Sequence, residues 1–265
     1  MSKSVKLSSR LTRIGGGSCL TKDSSESEHA LINVMRRIVE YAKTIKLKDE
    51  KYEVMWRPTV SLYECQVRMK SVYGDDYPEP SDCNTSRSMR PDGGIVYIID
   101  KTTLEWCPIL ITEDKIQGTN DHRFIKGLGR QATGNAIERA AKNIRGMEML
   151  MAGQERSYFP YVIFASGCDF HKSESIAQRL EMMNYGMSNF VFDVTESSTN
   201  IMHSLTQKLK TINCKKKWND KCVASVFIKT HKWNKAVHGT SNWSDEERYS
   251  VCKWVIDQTI QPYSS

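Results

Sequence analysis

The stretch that most limits the fold is "FPYVIFASG", residues 159–167. Apolar side chains follow one another there with no polar face between them. A strand built this way needs cover on both sides, which a sheet sandwiched between helices supplies and a one-sided sheet does not. A second β-rich run, "WCPILITEDK" (106–115), precedes it. Between them, "GNAIERAAKNIRGMEMLMA" (roughly 134–152) has helical periodicity, with Ile137, Ala140, Ala141, Ile144 and Met151 on one face. Strand, helix, strand in that order is a βαβ crossover and brings the two strands into parallel pairing.

The rest of the pattern builds around this unit. "GGIVYIID" (93–100) reaches 106–115 through the short connection "KTTLE", which predicts an antiparallel hairpin. "NFVFDV" (189–194) and "VASVFIK" (223–229) read as further strands, and residues 198–211 as a helix. An early helix is expected to start near Ser27 to His29, with Leu31, Val34, Met35, Ile38, Val39 and Ala42 on its apolar stripe. A last helix starts at Ser244, where Ser244 and Glu247 have capping-box spacing ahead of Val251, Trp254, Val255 and Ile260. The expected class is α/β: a mixed, five-stranded-type central sheet flanked by helices.

Residues 29–265 are expected to form a single domain. Residues 1–28, with "GGGS" and "KDSSESE", read as a flexible arm, and 74–93 as a long loop. The eight Cys include no Cys-x-x-Cys and no zinc spacing, and no apolar run approaches the roughly 18 residues of a membrane span. With no signal-peptide pattern, these features predict a cytoplasmic protein with reduced thiols and no membrane partner. The net charge of +7 suits an acidic partner without requiring one. The Lys-rich stretch 208–235, with Trp218 and Trp233 interleaved, reads either as a solvated face or as phosphate contacts.

Two places carry chemistry. If the hairpin pairs symmetrically about residues 102–103, Asp92 faces Glu113, and the strand period of two puts Lys115 on the face of Glu113. Paired carboxylates hold a hard divalent cation such as Mg²⁺. Such a cation polarises a phosphate and acidifies a bound water, and an ammonium stabilises the developing charge. The plain alternative is a Gly-Gly turn beside a strand-end salt bridge. The second place is the helix entry. Asn135 and Arg139 are i, i+4 and share a face. An Asn amide matches the N6/N7 edge of adenine, Arg donates to purine acceptors, and a helix N-terminus favours phosphate. Ala132, Gly134 and Ala136 are small enough for the backbone to approach bases closely. The alternative is an ordinary amphipathic helix with Asn near its N-cap. Arg90 and Lys126, close to both motifs, suit phosphate contacts.

These stretches resemble the EcoRI-type restriction endonucleases of the PD-(D/E)xK superfamily. The matches are "RPDGGIVYI", Glu113-x-Lys115 followed by "QG", "ATGNAIERAAKNI", "FPYVIF" and "RLEMMNYGM", in that order over roughly residues 88–190. The resemblance implies the PD-(D/E)xK fold and a homodimeric type II restriction endonuclease. It would use Mg²⁺ to cut double-stranded DNA at a GAATTC-like palindrome and leave 5′ extensions. It implies metal-binding carboxylates at Asp92 and Glu113, a catalytic lysine at Lys115, and a further metal ligand in the peptide carbonyl of Asp114. Asn135, Ala136 and Arg139 match base-contacting positions, with Ala132 and Gly134 in the extended stretch beside them. Gln131 stands where the family has a Met against the outer base pair, so the resemblance carries the central AATT further than that pair. Asp114 replaces a small residue and is expected to add a carboxylate close to the metal. A companion DNA methyltransferase that protects the host is implied as a functional partner. Two other readings fit the residues: a structure-specific repair or junction nuclease of the same fold, and a catalytically silent DNA-binding protein.

Overall fold

The computed structural model describes residues 19–116, 127, 135–153, 159–166, 174–183, 191–193, 225–229 and 243–265. In chain order the elements are α1 (Cys19–Thr44), β1 (Tyr52–Arg57), β2 (Val60–Ser61), α2 (Leu62–Tyr73), β3 (Ser88–Met89), β4 (Gly94–Asp100), β5 (Trp106–Ile116), α3 (Asn135–Leu150), β6 (Tyr161–Ser166), α4 (Glu174–Met183), β7 (Val191–Asp193), β8 (Ser225–Lys229) and α5 (Asp245–Thr259). The main sheet runs β1-β4-β5-β6-β8-β7, with β2 and β3 as a separate pair. β1, β4 and β5 pair antiparallel; β5, β6, β8 and β7 pair parallel.

The mixed α/β class and the β5–α3–β6 crossover follow the sequence pattern. All six residues of β6 are buried, so the unbroken apolar run is covered on both faces as its composition demands. One face packs on α1 and α5 through Leu31, Val34, Ile38, Leu110, Phe164 and Val255. The other carries Ile95, Ile111, Ile137, Ile144, Tyr161 and Ile163, with α2, α3 and α4 over it. Among the described residues no helix is long and apolar enough to cross a membrane.

Three expectations are corrected. Among the described residues the sheet has six strands rather than five, the one not expected being β1 at its edge. α1 begins at Cys19, so residues 19–28 belong to it rather than to an arm, and Ser27 is buried. The hairpin is also not symmetric. Val96 pairs with Leu110 but Tyr97 with Pro108, so Ile109 is an extra residue in β5. Ile109 and Leu110 both face α1 and α5, and the Ile109 carbonyl accepts from Thr259 Oγ1 at 2.7 Å. Pro108 lacks an N–H and fits beside such a bulge. The one-residue shift brings position 92 level with Asp114 instead of Glu113.

β1 and α2 went unread. Only Val54 of β1 is buried, because β1 is an edge strand and carries no alternation to read. α2 did announce itself through Ser61 and Glu64, a capping box like that of Ser244 and Glu247, which the structure also contains. The helix expected over 198–211 and most of the Lys-rich stretch lie outside the described residues.

The turn into β4 explains why Asp92 precedes two glycines. Gly94 has φ +77°, and a Cβ there would sit 2.7 Å from the Arg57 carbonyl oxygen. A Cβ on Gly93 would collide with Oγ1 of the buried Thr112, a hydroxyl with no hydrogen-bond partner among the described residues. Gly93→Ala is therefore expected to destabilise the fold by about 1–3 kcal/mol. Thr112→Ala in the same chain is expected to recover most of that loss. Urea unfolding followed by circular dichroism measures both, and an unchanged midpoint for Gly93→Ala alone would contradict the packing described.

Candidate active site

β4 begins at Gly94, opposite Thr112, so β5 runs on past its antiparallel neighbour. The Asp92 turn closes that open edge: the Asp114 N–H donates to Asp92 Oδ2 at 3.0 Å. Alternation along β5 then separates three consecutive side chains. Glu113 and Lys115 project to the α3 side, with Ile111 beneath them, while Asp114 projects to the α1 and α5 side.

On the α3 side the Lys115 ammonium gathers three oxygens. Its Nζ lies 2.7 Å from Asp92 Oδ2, 2.6 Å from Glu113 Oε1 and 3.1 Å from the Asp114 carbonyl. Glu113 is buried, with 1% of its surface exposed, and both its oxygens are held. Asn143 on α3 donates to Oε1 at 3.0 Å, and the Tyr161 hydroxyl on β6 donates to Oε2. A buried carboxylate needs such partners, since taking it out of water alone is very unfavourable. Asp92 is more open, with 29% of its side chain exposed. Burial pulls the Lys115 pKa down, but the charges of Glu113 and Asp92 outweigh it and raise the value above that of an ordinary lysine. Lys115 is therefore an ammonium at neutral pH, a donor of charge and hydrogen bonds and no proton acceptor. Burial, reinforced by Glu113, pushes Tyr161 well above its usual value, so it stays a neutral hydroxyl donor.

The same geometry tests for a metal. Two carboxylates and a peptide carbonyl converge within 3.1 Å of one cationic atom, the Lys115 nitrogen. That is an all-oxygen donor set of the kind a hard divalent cation takes. The residues fit Mg²⁺.

On the opposite face Asp114 corrects one expectation. Its carboxylate lies 2.7 Å from Arg248 Nη2 and accepts from Ser27 Oγ, and Arg248 reaches the same Ser27 oxygen at 2.7 Å. Side-chain exposures are 5% for Asp114 and 2% for Arg248. Burial raises the Asp114 pKa above the usual carboxylate value, with Arg248 opposing the rise. The extra carboxylate thus stands behind the strand, and Asp114 enters the site through its backbone only.

The base-reading set is placed less fully. Asn135 and Ala136 open α3, with their side chains outside the description, as are Gln131, Ala132, Gly134 and Lys126 altogether. Arg139 is exposed one turn into α3. Glu138 pairs with Arg179 of α4 at 2.8 Å. Arg90 is exposed and pairs with Glu28 of α1 at 3.1 Å. Sequence reasoning missed Asn143, Tyr161, Ser27 and Arg248. Tyr161 left a signal: a phenol in a strand buried on both faces needs a hydrogen-bond partner there. Asn143 left another, one turn beyond Arg139 on the same helix row.

The sequence profile of the restriction endonuclease EcoRI family matches residues 15–262. The chain belongs to that family. It is 34% identical over 127 residues to the type II restriction enzyme RsrI of Cereibacter sphaeroides, across 43% of this chain and 45% of RsrI. It is 40% identical over 94 residues to the type II restriction enzyme EcoRI of Escherichia coli, across 32% of this chain and 33% of that enzyme. The aligned stretches span less than half the length of either relative.

The Asp114–Arg248 pair is expected to matter for stability in a particular way. Arg248→Met strands a buried carboxylate and should destabilise by about 3–5 kcal/mol. Asp114→Leu combined with Arg248→Met removes both charges and should recover most of the loss. Equal denaturant midpoints for Arg248→Met and the unaltered chain would contradict the buried pair.

Proposed function

We propose that this chain is a Mg²⁺-dependent type II restriction endonuclease that hydrolyses phosphodiester bonds of double-stranded DNA at a short palindrome. The observation that carries this reading is the convergence of Asp92, Glu113 and the Asp114 carbonyl on the Lys115 ammonium at the end of β5. Family membership and the names of the two relatives support it.

In this reading Asp92, Glu113 and the Asp114 carbonyl hold the cation. When bound, the cation neutralises charge at the scissile phosphate and makes a water nucleophilic at neutral pH. Tyr161 and Asn143 fix the plane of the Glu113 carboxylate, so its oxygens arrive already oriented. Lys115 would donate to the attacking water or to a phosphate oxygen, where negative charge grows in the transition state. The Asp114–Arg248 pair keeps the backbone of residue 114 from turning, which holds its carbonyl on the active side.

Recognition is assigned to the entry of α3. Asn135, Ala136 and Arg139, with Gln131, Ala132 and Gly134 ahead of them, read base edges of a GAATTC-like site, the central AATT most directly. Arg90 contacts phosphate. A two-fold homodimer matches a palindrome half-site by half-site and cuts both strands to leave 5′ extensions. The enzyme acts in the cytoplasm beside a companion methyltransferase that protects the host genome.

The experiment is incubation with a plasmid of known sequence in Mg²⁺ or in EDTA, with the ends mapped by sequencing. Discrete Mg²⁺-dependent fragments ending at one palindrome are expected. Cutting confined to branched DNA, or no cutting, would overturn the reading. Glu113→Gln is expected to slow cutting by more than about 100-fold, the upper end for losing a mere outer-shell partner of a metal ligand. Specific binding measured without Mg²⁺ should survive that change. Retained cutting by Glu113→Gln would remove Glu113 from the site.

A further inference from the structure

The two groups that hold Glu113 come from different layers. Tyr161 stands on β6, which is locked to β5 by parallel pairing from Ile111–Tyr161 to Ile116–Ser166. Its hydrogen bond follows the sheet. Asn143 stands on α3, which lies over the sheet on Ile137, Ala140, Ile144 and Met147. Its hydrogen bond follows the helix. Residues 135, 139 and 143 fall at i, i+4 and i+8, one row along the helix surface. Arg139 is exposed and Asn143 is half-buried against Glu113. The row therefore runs from the helix entry into the site, over about 12 Å of helix.

We infer that Asn143 is a positioning residue that couples the seating of the α3 entry on DNA to the orientation of the Glu113 carboxylate. The inference rests on the endonuclease reading above. Oε1 of Glu113 is shared between Asn143 at 3.0 Å and Lys115 at 2.6 Å. If α3 seats on a wrong base pair and shifts, the Asn143 amide moves with it. Lys115 then holds Oε1 alone, and carboxylate and ammonium stay tied to each other rather than to the substrate. A correctly seated α3 keeps the amide in place and holds Glu113 in its working orientation. Base reading at one end of the helix thus sets the rate of chemistry at the other.

The test compares single-turnover cleavage of the mapped palindrome with cleavage of the same duplex carrying one altered base pair within it. The proteins are the full chain, Asn143→Ala, Asn143→Ser and Tyr161→Phe. Ala is the strongest helix former, so α3 is expected to fold as before, and thermal melting checks this. Asn143→Ala is expected to slow cleavage of the palindrome by roughly 10- to 100-fold, the effect of losing one hydrogen bond to a charged group. Binding to the palindrome without Mg²⁺ should not change. Cleavage of the altered site should slow less, so the ratio between the two sites narrows. Asn143→Ser should behave alike. Tyr161→Phe should slow both sites in the same proportion and keep the ratio. Wild-type rates in the Asn143 variants, or equal proportional losses at both sites, would overturn the inference alone. An unaltered chain that cuts no palindrome would overturn the endonuclease reading and this inference with it.

Discussion

Period-two alternation over the last residues of β5 is the constraint on which the rest depends. Three consecutive residues, Glu113, Asp114 and Lys115, are all charged. On a helix or a loop their charges would mix. On a strand covered on both faces, each must go to one layer or the other and find partners there. Glu113 and Lys115 meet Asp92, Asn143 and Tyr161, and Asp114 meets Arg248 and Ser27. The active face therefore has two carboxylates and one ammonium, and the third carboxylate is neutralised out of reach. Placed on the same face, it would have set three like charges around one small volume, which only a higher cation load could offset.

The bulge at Ile109 sets which residues share that face with Asp92. Symmetric pairing would have put Asp92 beside Glu113 as a strand neighbour. The extra residue instead brings Asp92 level with Asp114, whose N–H it accepts. Asp92 Oδ2 is thereby fixed by a backbone donor as well as by Lys115. A half-buried turn residue on a connection gains the rigidity of the sheet edge. The bulge is itself held from α5, where Thr259 caps the freed carbonyl of Ile109. The C-terminal helix thus supports β5 at two points, Ile109 and Asp114, both on the face away from the site.

Much of this was legible from residue types, and the limits of legibility have physical causes. The unbroken apolar run at β6 demanded two covering layers, and the crossover order demanded parallel pairing; both follow from burial alone. The trio Asp92, Glu113 and Lys115 could be assembled from strand period and hairpin closure. The error of one in the register was invisible, because a bulge depends on how Ile109 packs and on a carbonyl capped from residue 259, far along the chain. Arg248 leaves no signal in the sequence, since burial of an arginine depends on a partner that sequence spacing cannot pair with it. β1 hid for the opposite reason: an edge strand with one buried residue leaves no period to read.

The division of labour between the two faces also bears on how such a site tolerates change. On the α1 and α5 side, Asp114, Arg248 and Ser27 form a buried set whose members can be exchanged only together, because removing one charge strands the other. On the α3 side, Glu113 has Asn143 and Lys115 on Oε1 and Tyr161 on Oε2, so loss of one leaves the carboxylate still paired. The first arrangement makes the backbone at residue 114 insensitive to what happens at the surface. The second leaves Glu113 adjustable, and the adjustable link is the one that leads along α3 to Arg139. A site built this way keeps its donor atoms fixed from behind while its carboxylate responds from the front. Fixed donors alone would hold a cation equally well at every sequence. In the reading proposed above, a front contact that follows the seating of α3 would let recognition enter the chemical step.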